Sequence, residues 1–418
     1  MNQFTQAVDL SGFQTVESTY RKIQIFKWRL QYFSIGQIAA QNGCDVVYYD
    51  SFPGATDRSK ASIEKIFNRL AEKGKITSDQ KEEMLGRMHW SADLNAVSGA
   101  DLVVEAVIED LEVKKALFAQ VEPLIAETAW LCTNTSSLSI AALSAGLKHP
   151  ERFGGLHFFN PAPLMPLVEV VPGVKTGDDF TERMEALMQQ WGKVPVVAKD
   201  TPGFIVNKVA RPFYSEAIKL YEEGVASVAE IDAAVKSIGF RMGPFELTDL
   251  IGHDVNYTVT ETVWSQFFYD PRFRPSITQK RLKEAGLYGR KTGRGFYNYA
   301  SGMNAAVVAQ EEAEIDPMLS EKIVERILCL IINEALDAVW QGIAAPENVD
   351  LAMTKWVNYP KGPIQWGREM GWDQVLGTLK RCHKHYGDDR YRPCPLLRHL
   401  NTGNAELGEG QLTDNFMV

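Results

Sequence analysis

Two polar residues in the middle of the chain could transfer a proton together. His157 is flanked by leucine and phenylalanine, and Glu169 interrupts the apolar run 167–171. A carboxylate in such an apolar strand is costly unless it has a polar partner. A nearby carboxylate would also fix the tautomer of the histidine ring and raise its basicity. The pattern therefore favours a general base, His157, oriented by Glu169, over two unrelated buried polar residues.

A serine adds a nucleophile to this pair and so leaves a second chemistry open. Ser136 lies in the polar segment 134–137, and Ser136, His157 and Glu169 match the residue types of a hydrolase triad. No Gly-x-Ser-x-Gly turn surrounds the serine, and the chain order is Ser, His, Glu instead of Ser, acid, His. Hydrolysis is therefore an open alternative.

Alternating strand-like and helix-like segments between residues 22 and 197 position these side chains. Short apolar runs separated by helices are typical of a doubly wound α/β sheet. A charged amphipathic stretch, 55–85, predicts a pair of helices with a break near Gly74. In an open α/β sheet, residues just beyond the carboxyl ends of strands line the ligand crevice. We expect the candidate residues to lie at or near such ends.

The second half of the chain is helical and contains an internal repeat. Identical residues recur 118 (334 − 216) or 119 (362 − 243) positions apart: Glu216 and Glu334, Gly224 and Gly342, Asp232 and Asp350, Gly243-Pro244 and Gly362-Pro363, Gly252 and Gly371, and Asp254 and Asp373. A tandem duplication explains this series. We predict an α/β Rossmann-like doubly wound N-terminal domain, 1–199, followed by two all-α tandem-repeat domains, 200–300 and 317–404.

The composition argues against several classes of protein. The net charge of −9 over 418 residues does not favour binding to nucleic acids or membrane surfaces. The five cysteines are scattered without paired spacing, which predicts no metal framework and suits a reducing compartment. No apolar run approaches the ~18 residues of a membrane span. We therefore expect a cytoplasmic protein without a nucleic-acid, membrane or metal partner.

The chain resembles the L-3-hydroxyacyl-CoA dehydrogenase family from about residue 36 to residue 400. Six segments carry the resemblance in the family's order: DLVVEAVIEDLEVKKALF, TNTSSLSI, RFGGLHFFNPAPLMPLVEVV, DTPGFIVNKV, GFRMGPFELTDLIG and YGRKTGRGFYNY. The tandem helical part is similar to the longer bacterial 3-hydroxybutyryl-CoA dehydrogenases of fatty-acid or phenylacetate breakdown. The resemblance implies an oxidoreductase that converts (S)-3-hydroxyacyl-CoA to 3-ketoacyl-CoA with NAD, and it leaves a homodimer open.

The resemblance also implies roles for single residues. His157 would take the proton of the 3-hydroxyl group as the hydride leaves for NAD, and Glu169 would orient His157 and stabilise its imidazolium. The residues implied in substrate binding are Ser136, Asn160, Asn207 and, for the CoA phosphates, Arg69. The residues implied in cofactor binding are Asp50, Glu109, Lys114, Ser136 and Lys291. In the second repeat, Glu325 stands at the position of Asn207, so that repeat is predicted to be non-catalytic.

The phosphate-binding loop departs from the family pattern. Lys27, Arg29 and Tyr32 stand where the family has Gly-x-Gly-x-x-Gly, and Ser34 replaces a further glycine. These glycines permit the tight turn, the approach to the diphosphate and close helix packing, so Tyr32 is expected to push the helix off the sheet. Three explanations are open: an altered cofactor pose, a catalytically impaired acyl-CoA-binding or structural relative without NAD, or a local reading-frame or sequence error over about 17–33 in an ordinary dehydrogenase.

Overall fold

The computed structural model describes residues 22–27, 33–50, 54–299, 315–403, 405–407 and 412–414. Of the unusual phosphate loop, Arg29 and Tyr32 lie outside the described residues, and Lys27 is described only as strand backbone. The chain forms two compact units, Met1–Val107 with Gln120–Cys132 and Ile108–Ala119 with Thr133–Val418.

Parallel strands form the centre of the first unit. In chain order they are β1 (Lys22–Lys27), β2 (Asp45–Tyr49), β3 (Met88–Ser91), β4 (Leu102–Ala106) and β5 (Trp130–Thr133), and their order in the sheet is β3-β2-β1-β4-β5. β1 pairs in parallel with β2 and β4, and β2 pairs in parallel with β3. All residues of β4 are buried, as expected for a parallel strand that is covered on both faces.

Three helices accompany these strands: α1 (Phe33–Gln41), α2 (Ala55–Glu72) and α3 (Ser78–Gly86). The predicted break between α2 and α3 is confirmed, and Gly74 there has a φ of +64°. The expected displacement of α1 from the sheet is wrong for Phe33–Gln41. A Cβ atom on Gly36 would collide with the hydroxyl group of Tyr48 and the Cδ1 atom of Ile25, so Gly36 allows α1 to pack closely on the strands.

The second unit begins with α4 (Leu111–Val121) and α5 (Ile140–Ser144) and contains β6 (Phe153–Phe158), β7 (Leu167–Pro172), α6 (Asp179–Gln190) and β8 (Val194–Val197). These strands lie in the order β6-β7-β8, with β7 antiparallel to β6 and parallel to β8. The antiparallel register places His157 directly opposite Glu169. Glu169 therefore faces His157 from the middle of its strand instead of from a carboxyl end.

Helices form the rest of the second unit. The first repeat contains α7 (Val206–Val209), α8 (Arg211–Glu222), α9 (Val228–Ser237), α10 (Pro244–Ile251), α11 (His253–Gln266) and α12 (Ile277–Glu284). The second repeat contains α13 (Pro317–Trp340), α14 (Pro346–Lys355), α15 (Pro363–Met370), α16 (Trp372–Tyr386) and α17 (Pro395–Thr402). A short antiparallel pair follows, β9 (Ala405–Leu407) with β10 (Leu412–Asp414). The predicted fold class is thereby confirmed.

The two repeats use the same aspartate to cap a helix. Asp232 accepts hydrogen bonds from the second and third backbone N–H groups of α10 at 2.9 and 3.0 Å. Asp350 accepts the equivalent bonds from α15 at 2.7 and 3.0 Å. Burial raises the pKa of Asp232 to about 7 and also raises the pKa of Asp350. The repeated spacing in the sequence thus corresponds to repeated contacts in the fold.

Reciprocal ion pairs join the repeats to each other. Lys208 of the first repeat donates to Glu334 at 2.9 Å and to Asp337 at 2.8 Å, and all three side chains are buried. At the equivalent positions, Arg326 of the second repeat pairs with Glu216 of the first. Each repeat thus supplies a cation that pairs with a carboxylate of the other repeat. This reciprocal arrangement is that of a self-complementary two-fold interface.

The structure also bears on membrane spans, metal sites and cysteine pairing. Within the described ranges, no helix combines the length and apolar character that a membrane crossing requires. The same residues contain no group of three or more His, Cys, Asp or Glu side chains arranged to hold a metal ion. All five cysteines are free thiols, and Cys382 alone among them is partly exposed.

Candidate active site

The structure brings Ser136, His157 and Glu169 into one hydrogen-bonded line. The Nδ1 atom of His157 lies 2.6 Å from the Oε2 atom of Glu169, and its Nε2 atom lies 3.0 Å from the Oγ atom of Ser136. His157 is 4% exposed and Glu169 is fully buried. This geometry agrees with the predicted base and its orienting carboxylate, because Glu169 occupies one ring nitrogen and leaves the other for proton transfer.

Backbone donors hold the second oxygen of Glu169. Its Oε1 atom accepts hydrogen bonds from the N–H groups of Ile205 and Val206 at 3.0 and 3.1 Å. The buried carboxylate is thus satisfied on both oxygens, which fixes its position relative to His157. Val206 begins α7, so the same short helix that carries Asn207 also anchors Glu169.

Glu109 organises the loop that carries Ser136. Its Oε1 atom accepts from the Thr135 hydroxyl at 2.6 Å and from the backbone N–H groups of Ser136 and Ser137 at 2.9 and 3.1 Å. The ammonium group of Lys114 lies 3.4 Å from the Oε2 atom of Glu109. Burial raises the pKa of Glu109, but Lys114 and these hydrogen bonds outweigh that effect and hold it below its ordinary value. Glu109 is therefore ionised while it positions Ser136.

Asp200, which no sequence pattern indicated, supports the same loop. Its carboxylate accepts from the backbone N–H groups of Ile140 and Ala141 at 2.9 and 2.8 Å, and from the Ser139 hydroxyl at 3.1 Å. Asp200 thereby ties the start of α5 to the segment that leads into α7. The partners lie about sixty residues apart in the chain, and no local pattern indicates such a contact.

Aromatic rings enclose the imidazole. The ring centroids of Phe159 and Phe204 lie 4.3 and 5.8 Å from that of His157. Trp356 of the second repeat packs against Phe159 at 4.6 Å. The second repeat was predicted to be non-catalytic. It nevertheless contributes a side chain, Trp356, that contacts a direct neighbour of the base.

The remaining substrate-binding candidates differ in burial. Asn207 is 9% exposed, and its Oδ1 atom lies 3.5 Å from a guanidinium nitrogen of Arg211. Asn160 is exposed and precedes a cis peptide bond to Pro161. Arg69 is exposed on α2, as the hypothesis of a contact with CoA phosphates requires.

The two remaining cofactor candidates are Lys291 and Asp50. Lys291 forms an ion pair with Asp254, so its ammonium group already has a carboxylate partner. Asp50 directly follows β2 in the first unit and is 6% exposed. An acidic residue after the second strand of a parallel β2-β1-β4 arrangement suits the adenosine ribose of NAD. The described residues of the first unit thus fit the cofactor at this point.

The family appears in both parts of the chain. Residues 33–201 match the family described as "3-hydroxyacyl-CoA dehydrogenase, NAD binding domain". Residues 203–299 and 323–411 each match "3-hydroxyacyl-CoA dehydrogenase, C-terminal domain". Two matches to one family description confirm the tandem repeat.

Similar proteins cover nearly the whole chain. A 3-hydroxyadipyl-CoA dehydrogenase of Escherichia coli (strain K12) is 38% identical in an alignment that covers 87% of this chain and 94% of the relative. The crystal structure of an E. coli K12 3-hydroxybutyryl-CoA dehydrogenase has a TM-score of 0.86 at 36% identity and covers 92% of this chain and 99% of that one. An (S)-3-hydroxybutyryl-CoA dehydrogenase from Ralstonia eutropha, also 36% identical, covers 67% of this chain and 99% of its own, with a TM-score of 0.65. This chain therefore belongs to the 3-hydroxyacyl-CoA dehydrogenase family of NAD-dependent oxidoreductases.

Proposed function

We propose that the chain oxidises (S)-3-hydroxyacyl-CoA to 3-ketoacyl-CoA with NAD and that His157 is the general base. The hydrogen-bonded line of Ser136, His157 and Glu169 carries this proposal, because a secondary alcohol releases a hydride only as its proton leaves. The family membership supplies the reaction class, and the geometry supports the assignment of the base.

The proposed mechanism begins with the tautomer of His157. The carboxylate of Glu169 accepts a hydrogen bond from Nδ1–H, which leaves the lone pair of Nε2 to accept the proton of the 3-hydroxyl group. NAD, when bound, supplies the acceptor for the hydride from C3. Ser136, whose Oγ atom contacts Nε2 in the structure, binds the substrate oxygen in this scheme. Once His157 is protonated, Glu169 stabilises the imidazolium across the short Nδ1–Oε2 contact.

The other candidate residues have supporting roles in the proposal. Asn207 and Asn160 bind the substrate, Arg69 meets the CoA phosphates, and the proposed cofactor contacts are those predicted above: Asp50, Glu109, Lys114, Ser136 and Lys291. Glu109 and Lys114 perform a second task, since they hold the loop of Ser136 in place.

We propose the domains predicted above, 1–199, 200–300 and 317–404. The last of these, the second repeat, is proposed to be non-catalytic. Glu325, at the position of Asn207, accepts a hydrogen bond from the Thr378 hydroxyl at 2.7 Å and so serves its own helices. We further propose a cytoplasmic enzyme without nucleic-acid partners, which the net charge of −9 supports. The relatives are named for 3-hydroxyadipyl-CoA and 3-hydroxybutyryl-CoA, so both thioesters are substrates to be tested.

The alternatives gain no support from the comparisons. A relative without NAD was suggested by the loop residues Lys27, Arg29 and Tyr32 alone, whereas Asp50 and the catalytic line are all present. The hydrolase hypothesis relied on the same three residues as the dehydrogenase, and these residues lie within the range 33–201 that matches a dehydrogenase family.

A paired substitution tests the assignment of the base. His157→Ala should abolish the oxidation of NADH by acetoacetyl-CoA while the affinity for acetoacetyl-CoA stays within about threefold, because the imidazole acts in proton transfer more than in thioester binding. His149→Ala is the matched control, since His149 is exposed and its Nδ1 atom lies 3.1 Å from the carboxylate of Glu151, which is also exposed. Turnover that survives in His157→Ala would contradict the proposal.

A further inference from the structure

Arg211, at the start of α8, carries a buried guanidinium without an acidic partner. The residue is 4% exposed, and no described Asp or Glu forms an ion pair with it. One nitrogen, Nη1, donates to the Thr260 hydroxyl at 3.0 Å, whereas Nη2 lies 3.5 Å from the Oδ1 atom of Asn207. In the part of the chain that the structure describes, the Nε atom has no hydrogen-bond partner. The guanidinium is therefore incompletely satisfied at the side of a proposed substrate-binding residue.

This arrangement is costly for the folded protein. Burial lowers the pKa of Arg211, and the groups that oppose this effect are the phenols of Tyr214 and Tyr359. The guanidinium also lies 5.1 Å from the Tyr214 ring centroid, a cation–π distance. A neutral phenol does not replace the carboxylate or phosphate that a buried guanidinium normally pairs with. Among the described residues, the guanidinium therefore has no anionic partner.

The second repeat shows that the helical scaffold does not need this charge. The position equivalent to Arg211 (211 + 118) is Cys329, which is completely buried and uncharged. Three residues earlier, by contrast, both copies keep a cation, Lys208 and Arg326, and both cations have carboxylate partners. The charge at position 211 is therefore not a requirement of the helical fold. We connect it with a role that the first repeat has and the second repeat lacks.

A loop of the second repeat connects Arg211 with the catalytic base. Trp356 packs against Phe159, which contacts His157. Three residues further on, Tyr359 lies near Arg211, and its buried hydroxyl group has no hydrogen-bond partner among the described residues. The segment 356–360 thus contacts a neighbour of the base at one point and supplies a second unsatisfied donor near the guanidinium at the other.

We propose that Arg211 is a specificity-determining residue that binds the carboxylate at the far end of a dicarboxylic 3-hydroxyacyl chain, with the Tyr359 hydroxyl as a second donor. This inference rests on the proposed function, since it places the reacting C3 of the thioester at His157. A guanidinium beside Asn207 is then reached by an anionic group a few carbons beyond C3. The bound carboxylate completes the ion pair that the free protein lacks.

The test compares two six-carbon thioesters, 3-hydroxyadipyl-CoA and 3-hydroxyhexanoyl-CoA, which differ in the terminal carboxylate. We expect the wild-type kcat/KM to favour the dicarboxylic thioester. Arg211→Met should lower the ratio of the two kcat/KM values by about tenfold to a hundredfold, the loss expected for a hydrogen-bonded charge pair. Arg211→Lys should retain part of the ratio, because it keeps the charge without the two-pronged geometry. Arg281→Met, which removes an exposed arginine paired with Glu284, should leave the ratio unchanged.

Each result decides between the inference and its rivals. Equal wild-type kcat/KM values for the two thioesters would overturn the role of Arg211 and leave the proposed function intact. An equal loss for both thioesters in Arg211→Met would likewise overturn it, since Arg211 would then only position Asn207. If Arg211→Met does not fold, as judged by its circular dichroism, the wild-type preference and Arg211→Lys carry the test. Absence of turnover of both thioesters by the wild type would remove the proposed function together with this inference.

Discussion

Glu169→Gln isolates the charge that the structure places behind the catalytic base. The substitution keeps the shape of the side chain but replaces a carboxylate that contacts Nδ1 of His157 at 2.6 Å and two backbone N–H groups at 3.0 and 3.1 Å. The amide oxygen can still accept from Ile205 and Val206. Its NH₂ group then faces His157, where it cannot accept a hydrogen bond from Nδ1–H.

The expected magnitude follows from the interaction that is lost. A hydrogen bond to a charged group contributes about 1.5–3 kcal/mol. Since about 1.4 kcal/mol corresponds to a factor of ten, kcat should fall by about tenfold to 150-fold. An NH₂ group opposite Nδ1 also favours the tautomer that carries its proton on Nε2, which is the wrong form for His157 as a base, so this range is a lower bound.

Steady-state oxidation of 3-hydroxybutyryl-CoA by NAD measures this effect. We expect kcat to fall while KM changes little, because the charge of Glu169 acts on the protonated His157 that forms during the reaction. Glu151→Gln is the control, since Glu151 is exposed and pairs with the exposed His149. A kcat within about threefold of wild type would refute the reasoning that Glu169 stabilises the imidazolium.

Three further predictions concern other parts of the molecule. Asp50→Ala should weaken NADH binding, measured by calorimetry, by about tenfold or more, because the residue loses its contact with the cofactor ribose. The affinity for acetoacetyl-CoA should stay unchanged. An unchanged affinity for NADH would contradict this prediction. Burial lowers the pKa of Lys193 to about 8, below the ~10.4 of an unfolded lysine. Between these two pH values unfolding takes up a proton, so the free energy of unfolding should rise with pH. Lys193→Met should lack that rise in urea unfolding, and a rise of equal size in the variant would exclude Lys193 as its source. Asp232→Ala and Asp350→Ala should each lower the free energy of unfolding by about 1–2 kcal/mol through loss of a helix cap, with the larger loss at Asp232, which also accepts from the Tyr297 hydroxyl at 2.8 Å. A loss at neither position would show that these caps do not stabilise the repeats.

Much of the fold could be predicted because its signals are local. Apolar runs indicated the strands β4 to β8, the break at Gly74 separated two helices, and the offset of 118 or 119 residues indicated the repeat. The short strand β3 (Met88–Ser91) was not predicted, since alternating polar residues interrupt its apolar pattern. Gly36 was also not identified, because its role depends on Tyr48 of a neighbouring strand.

The candidate site was predictable in its residue types but not in its geometry. His157 and Glu169 were paired on chemical grounds, whereas the antiparallel register that places them opposite each other depends on a long-range strand pairing. Asp200 and Arg211 were not identified for a related reason. Their importance lies in which partners they have or lack, and partners distant in the chain leave no pattern in one sequence.

This chain, with Lys27, Arg29 and Tyr32 in place of the family's glycines, is proposed to bind NAD and to use His157 for catalysis. The most direct measurement is the oxidation of NADH by acetoacetyl-CoA with the purified chain, followed spectroscopically, with NADH binding measured by calorimetry on the same sample. We predict saturable NADH binding and turnover that His157→Ala abolishes. Absence of both NADH binding and turnover, in a folded sample that still binds acetoacetyl-CoA, would contradict the account.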